Sequence, residues 1–211
     1  MMTSKTISVK QPLLIRHAES EGNAGLPTND PASIPLTDKG HEQAAELAVI
    51  FIAAPDLIVV SPYLRTQQTA APLIARFPQV PVELWPVEEF TYLSPTKYAG
   101  TTETQRGTFA HAYWERCDPH WNDGGGAESF ADLMVRIDAL EARLRQHVGA
   151  EVIIFSHGYF IKALLLRRER RHSPVDRRLM AAFREGRRRD PLLNTGRVRL
   201  LTSQSGGGRQ I

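Results

Sequence analysis

The 211-residue sequence contains one cysteine, Cys117, and no apolar run long enough to span a bilayer. The lone thiol excludes an internal disulfide and any multi-cysteine zinc or iron–sulfur site, and it fits a reducing compartment. Its neighbours are polar and offer no activating partner, so a nucleophilic role for it is set aside. The longest apolar stretches, near Leu47–Pro55 and Leu57–Val60, fall far short of the roughly 20 residues that a spanning helix needs. The N-terminal MMTSKTISVKQPLLI lacks the apolar core of a secretory signal. A cytoplasmic protein with no membrane partner is therefore expected. Internal repeats are missing too, and the one low-complexity block is Ser205–Gly208, so residues 203–211 are expected to form a flexible tail.

What the chain does have is the material of a single folded unit. Its 42% hydrophobic and 23% charged residues exclude wholesale disorder, and its length suits one domain over 1–211. The net charge of +3 is unevenly spread. Between Lys162 and Arg199, thirteen basic side chains face four acidic ones, a local +9 that leaves −6 for the remainder. Such a segment raises nucleic acid as a partner. Its runs Arg167–Arg171 and Arg187–Arg189 come without aromatic interleaving or a nucleic-acid motif. They are read as a solvated, helix-forming face, and nucleic acid is set aside.

Short apolar runs of strand length occur at Leu13–Ile15, Leu57–Val60, Val82–Leu84, Val152–Phe155 and Val198–Leu201. Helical patterns lie between them: Asp38–Ala54, Tyr159–Leu166, and Ser129–Val148, whose Phe130, Leu133, Ile137, Leu140 and Leu144 share one stripe. Ser129 followed by Asp132 suggests a capping box. Leu26–Pro35 reads as a loop, and Pro78–Pro95, with its four prolines, as a stretch crossing the sheet edge. This alternation predicts an α/β fold, a three-layer α/β/α sandwich with a mostly parallel central sheet.

Chemistry follows three of the strands. Leu13–Ile15 runs into Arg16 and His17, Leu57–Val60 into Ser61-Pro62-Tyr63-Leu64-Arg65, and Val152–Phe155 into Ser156-His157-Gly158. In a parallel sheet these groups emerge at one carboxyl edge, where open α/β sheets bind ligands. Two histidines, two arginines and a helix N-terminus opening at Gly158 describe a phosphate site. Any one of these segments alone would be read as ordinary hydrogen-bonding or solvated structure; three converging on one chemistry would not. His17, Glu19 and His157 could ligate zinc, but two arginines in the same cleft repel a divalent cation, so no metal and no cofactor are expected. His41, His111, His120, His147 and His172 have no comparable setting and are read as structural or surface residues.

These residues also carry a resemblance. Leu14-Ile15-Arg16-His17-Ala18-Glu19-Ser20-Glu21-Gly22-Asn23 resembles the Arg-His-Gly signature of the histidine phosphatase (phosphoglycerate mutase-like) superfamily, with Ala18 where glycine is usual. Ser61–Ala70, Leu36–Ala44, Glu128-Ser129-Phe130 and Ser156-His157-Gly158 resemble further landmarks in the family's order, over about Leu13 to Leu200. The resemblance implies that His17 is a nucleophile forming a phosphohistidine, and that Arg16, Arg65 and His157 surround the phosphoryl oxygens. It also implies Asn23 as a neutral donor to the same phosphate. The family's acid stands three residues before an aromatic-glycine pair. That spacing selects Glu89 through Tyr92, although Leu93 replaces the glycine, and leaves Glu88 as a solvated loop charge.

The expected activity is hydrolysis of a small phosphorylated substrate. The acid-bearing segment lacks the Asn-Glu-Arg-His-Tyr-Gly pattern of glycolytic mutases, which makes a phosphomutase the alternative. A catalytically dead phosphate-binding relative is a third reading, opposed by the intact set of histidines, arginines and acid. Substrate-reading groups are expected on Leu26–Pro35, Thr91–Thr102 and Asp118–Gly126. Asp123–Gly126 is read either as a mobile substrate-side loop or as a plain link into the capped helix. The oligomeric state stays open, a dimer included.

Overall fold

The computed structural model describes residues 11–147 and 150–200 and the backbone of 208–210. In chain order the elements are β1 (Leu13–Arg16), α1 (Asp38–Val49), β2 (Leu57–Val60), α2 (Leu64–Arg76), β3 (Val82–Leu84), α3 (Gly107–Arg116), α4 (Phe130–Leu144), β4 (Val152–Ser156), α5 (Gly158–Glu169), α6 (Arg177–Arg189), β5 (Arg197–Leu200) and β6 (Gly208–Gln210). The sheet order is β3-β2-β4-β1-β5-β6. The pairs β3–β2, β2–β4 and β4–β1 are parallel, whereas β1–β5 and β5–β6 are antiparallel.

The central strands are apolar throughout because both their faces are covered. Alternate residues divide between two cores. Leu14, Leu57, Val59, Val152 and Ile154 join the side chains of α3, α4, α5 and α6. Leu13, Ile15, Ile58, Val60, Ile153 and Phe155 join Leu47 and Ala48 of α1 and Ala70 and Leu73 of α2. The result is the three-layer sandwich expected from the sequence, with the sheet in the middle.

Local chemistry sets the helix ends. Ser129 and Asp132 form the reciprocal capping box expected for α4. Thr37 caps α1 by accepting from the Gly40 N–H, and Asp176 caps α6 through the Leu179 N–H. Two helices are shorter than their apolar pattern. The α1 helix ends at Val49 rather than Ala54, as Ile52 is 93% exposed and has no core to reach. The α4 helix tightens after Leu144 into a 3₁₀ turn, Arg145–His147; Val148 lies outside the described residues. Of the tail expected to be flexible, 203–207 and 211 lie outside the described residues, and Gly208–Gln210 pairs with β5. Among the described residues no helix is long and apolar enough to cross a membrane.

Candidate active site

The parallel strands β1, β2 and β4 end side by side, Arg16 pairing in register with Ser156 and Val60 with Phe155. The residues just beyond them therefore meet. His17 and His157 are buried, their ring centres 5.2 Å apart.

The protonation pattern of His17 follows from its partners. Nδ1 lies 2.7 Å from the Ala18 carbonyl, which can only accept, so Nδ1 carries the proton. Nε2 receives the Arg65 Nε–H at 3.2 Å; arginine can only donate, so Nε2 presents its lone pair. Burial, then the Arg65 and Arg16 charges, hold the His17 pKa well below the ordinary histidine value. The ring stays neutral, with Nε2 unprotonated and its lone pair held by the Arg65 N–H. Alanine replaces the signature glycine at position 18 without strain: the left-handed non-glycine residues among those described are Cys117 and Thr195. The Ala18 N–H donates to Thr69 Oγ1 at 3.0 Å.

His157 is held from the other ring nitrogen. Ser61 Oγ accepts the Tyr63 N–H at 3.3 Å and shares a hydrogen bond of 2.8 Å with His157 Nε2, in which either atom can donate. His157 Nδ1 is buried with no hydrogen-bond partner among the described residues. Burial, then Arg65, lowers this histidine's pKa well below the ordinary value as well. Arg65 is buried, anchored by Nη1 to the Pro31 carbonyl at 2.6 Å. Arg16 is held through Nη1 on the Leu192 carbonyl at 2.5 Å, while its buried Nε lacks a partner. Desolvation lowers both guanidinium pKa values from a very high starting point, and Glu89 opposes the change. An unpartnered guanidinium N–H and an unpartnered imidazole nitrogen thus lie near His17, and unpaired buried polar atoms of this kind can meet an anion's oxygens.

Glu89 and the start of α5 lie against each other. The N-terminus of α5 was expected to face an anion directly. Instead the Tyr159 and Phe160 N–H groups donate to Glu89 Oε1, at 3.0 and 3.3 Å, with the Phe90 N–H adding a third bond at 3.0 Å. The helix dipole is thus turned on the carboxylate. Burial raises the Glu89 pKa, with Arg65 the largest opposing influence. Gly158 makes room: a Cβ there would lie 3.4 Å from Arg16 Nε. Asn23 lines the same cavity, and its Oδ1 takes bonds from the Ser20 N–H, the Ser20 hydroxyl and Asn194 Nδ2. Glu88, expected to be solvated, instead forms an ion pair with Arg136 at 3.1 Å.

The cavity measures about 530 Å³, with Arg16, His17, Asn23, Arg65 and Glu89 in its lining. Loops Leu26–Pro35 and Thr91–Thr102 contribute to it as expected, through Pro31, Ile34, Tyr92 and Tyr98. Asp118–Gly126 does not; there Asp123 is tied to Lys97 at 2.6 Å and to the Ser94 N–H at 2.9 Å. Three contributions escaped the sequence reading. The turn before β5 clamps the nucleophile loop: Asn194 Nδ2 and the Thr195 N–H both reach the His17 carbonyl, and Leu192 holds Arg16. Arg187, counted with a solvated surface run, lines the cavity, and so does His111. The composition of the turn gave no signal. The position of Arg187 depends on where α6 packs. Among the described residues no group of three or more His, Cys, Asp or Glu could hold a metal ion.

This arrangement gathers two histidines, two arginines and a carboxylate at the carboxyl edge of an α/β sandwich. Residues 13–181 match the family model of the histidine phosphatase superfamily (branch 1), and the chain belongs to that family. No curated protein matches the chain in sequence. Among solved structures, the alpha-ribazole phosphatase from Shigella flexneri is 22% identical over 92% of each chain, with a TM-score of 0.67. The phosphoserine phosphatase from Entamoeba histolytica is 24% identical, over 95% of this chain and 94% of that one, with a TM-score of 0.69. A mycobacterial glucosyl-3-phosphoglycerate phosphatase is 24% identical, over 96% and 97%, also with a TM-score of 0.69. At these identities the three share the fold of this chain.

Proposed function

We propose that the protein is a metal-independent phosphomonoester hydrolase working through a phosphohistidine on His17. The observation that carries this reading is the pair of bonds fixing the His17 ring, Nδ1 to the Ala18 carbonyl and Nε2 to Arg65. A neutral imidazole with a fixed, unprotonated Nε2 is what attack on phosphorus needs. The three phosphatases with this fold fit the reading.

In the first step the Arg65 Nε–H turns from His17 Nε2 to a phosphoryl oxygen, and the freed Nε2 lone pair forms a bond to phosphorus as the bond to the ester oxygen breaks. Arg16 Nε and the Arg65 guanidinium donate to the equatorial oxygens, where charge is spread in the transition state, and His157 joins them in the tautomer that accepts the Ser61 hydroxyl proton at Nε2 and carries its own on Nδ1. The Gly158 N–H, free of other partners among the described residues, and Asn23 Nδ2 add neutral donors. Glu89 gives its proton to the departing alkoxide, releasing an alcohol. In the second step the Glu89 carboxylate takes a proton from water as that water attacks phosphorus. The phosphorus–nitrogen bond breaks, inorganic phosphate leaves, and His17 and Glu89 return to their starting states.

The test is to quench turnover with a labelled phosphomonoester in the presence of a metal chelator. An acid-labile, alkali-stable phosphoenzyme is expected with the native protein and not with His17→Ala, whose kcat should fall by about 10⁴-fold or more. Full activity in the His17→Ala variant would refute the mechanism.

A further inference from the structure

The cavity that holds His17 is lined by charge mainly of one sign. Five arginines line the cavity, Arg16, Arg65, Arg106, Arg187 and Arg188, against two carboxylates, Glu89 and Glu103. Arg16 and Arg65 serve the phosphoryl group in the reading above, and Glu89 serves as its acid. That leaves Arg106, Arg187 and Arg188, of which Arg188 is exposed and Arg106 and Arg187 are not. Neither Arg106 nor Arg187 forms an ion pair with Glu103 or any other carboxylate among the described residues.

Both are held in fixed poses by groups other than carboxylates. The Arg187 guanidinium carbon lies 4.4 Å from the Trp114 ring centre and 4.7 Å from that of Tyr159. Its Nη1 donates to the Tyr159 hydroxyl at 2.5 Å, and its Nε is buried without a partner. Arg106 is buried over the Tyr98 ring at 4.3 Å, with Nη1 bonded to Thr101 and Thr28. Elsewhere in this protein half-buried arginines are matched by acids: Arg136 pairs with Glu128, Arg167 with Asp138 and Arg168 with Glu141. A half-buried cation without a counter-charge is costly unless an anion arrives from outside. The aromatic rings fix the guanidinium plane but supply no countercharge.

We infer that the substrate is a phosphomonoester bearing a second anionic group, a carboxylate or a second phosphate, that binds at Arg187, with Arg106 as a second unpaired cation lining the same cavity. This rests on the phosphatase reading, with the ester phosphate in the His17 cradle. Arg187 is then the determinant of specificity, and its pre-set planar fork suits a two-oxygen anion.

The experiment uses monoalkyl phosphates of graded length, each ending in a hydroxyl, a carboxylate or a second phosphate. With the native enzyme, kcat/KM for at least one anion-ended member should exceed that of its hydroxyl-ended counterpart by about tenfold or more. Arg187→Met should lower kcat/KM for that member about tenfold more than for the hydroxyl-ended one, mainly through KM. Arg187→Lys should restore part of the preference. The carboxylate and phosphate arms identify which anion is read. An absence of preference at every length, or equal losses for both endings in Arg187→Met, would overturn the inference. If no member turns over, the phosphatase reading fails on its own. Calorimetric binding of the same series to His17→Ala still decides this point: tighter binding of anion-ended members, lost on adding Arg187→Met, supports it, and equal binding overturns it.

Discussion

Three backbone N–H groups, from Phe90, Tyr159 and Phe160, converge on Glu89 Oε1, leaving Oε2 with only a long contact of 3.4 Å to Tyr159. The first oxygen is fixed by the helix, and the second is the one that can hold a proton. Burial favours the protonated form by raising the pKa, so the acid is loaded at a higher pH than an exposed carboxyl would be. His17 is shifted the other way, its pKa lowered by burial and by Arg65 and Arg16. The signs give a bell. As pH rises through the elevated Glu89 pKa the donor is lost, and as pH falls far below the ordinary histidine range Nε2 is protonated. Replacing Glu89 with Gln should cost about 10²–10⁴ in kcat on an alkyl phosphate and remove the alkaline limb of the profile. The loss should be smaller on 4-nitrophenyl phosphate, whose phenoxide leaves without a proton. Equal losses on both substrates would show that Glu89 positions α5 rather than donates.

At the scale of elements, α1 is pressed against the loop that follows β1 at one point. A Cβ on Gly40 would lie 2.0 Å from the Glu19 carbonyl oxygen, which also receives the Thr37 N–H at 3.1 Å. Backbone cannot retreat there, so Gly40→Ala should destabilise the protein by about 3 kcal/mol, read from denaturant midpoints. Gly186 in α6 has nothing within 4 Å of its Cβ position, so Gly186→Ala should instead stabilise by about 0.5–1 kcal/mol. A similar change in both variants would exclude the contact as the cause. The landmark Leu36–Ala44 was legible as a motif, but its physical reason, a helix start latched onto Glu19, needed coordinates. Strands, capping box and strand-end histidines could be read because periodicity and local chemistry fix them. The use of the α5 N-terminus could not, since Glu89 reaches it from a proline-punctuated segment whose path is set by packing, with Phe90 fully buried beside it.

Over the whole molecule, the split between a basic C-terminal segment and an acidic remainder becomes a stitching pattern. Arg167 pairs with Asp138 and Arg168 with Glu141, joining α5 to α4. Arg184 pairs with Glu115, joining α6 to α3, and Arg199 approaches Glu151 at 3.8 Å. Within the segment, Lys162 pairs with Asp190 and Arg189 with Glu185. The sequence could count these charges but not place their partners, which lie up to 69 positions away in the chain. Such pairs add little stability when exposed, yet they cancel much of the positive field that a nucleic acid would need. Arg187 turns inward to the cavity, so the Arg187–Arg189 run does not present three parallel cations to a backbone. Nucleic-acid binding should therefore be weak and nearly independent of this run. Gel shifts with single- and double-stranded DNA and RNA, from low salt upward, should show no complex at about 0.15 M salt. Arg188→Glu with Arg189→Glu should leave any low-salt complex almost unchanged. A salt-sensitive complex abolished by that double reversal would mean that the exposed pair forms a binding face, and that the charge split serves a partner as well as the fold.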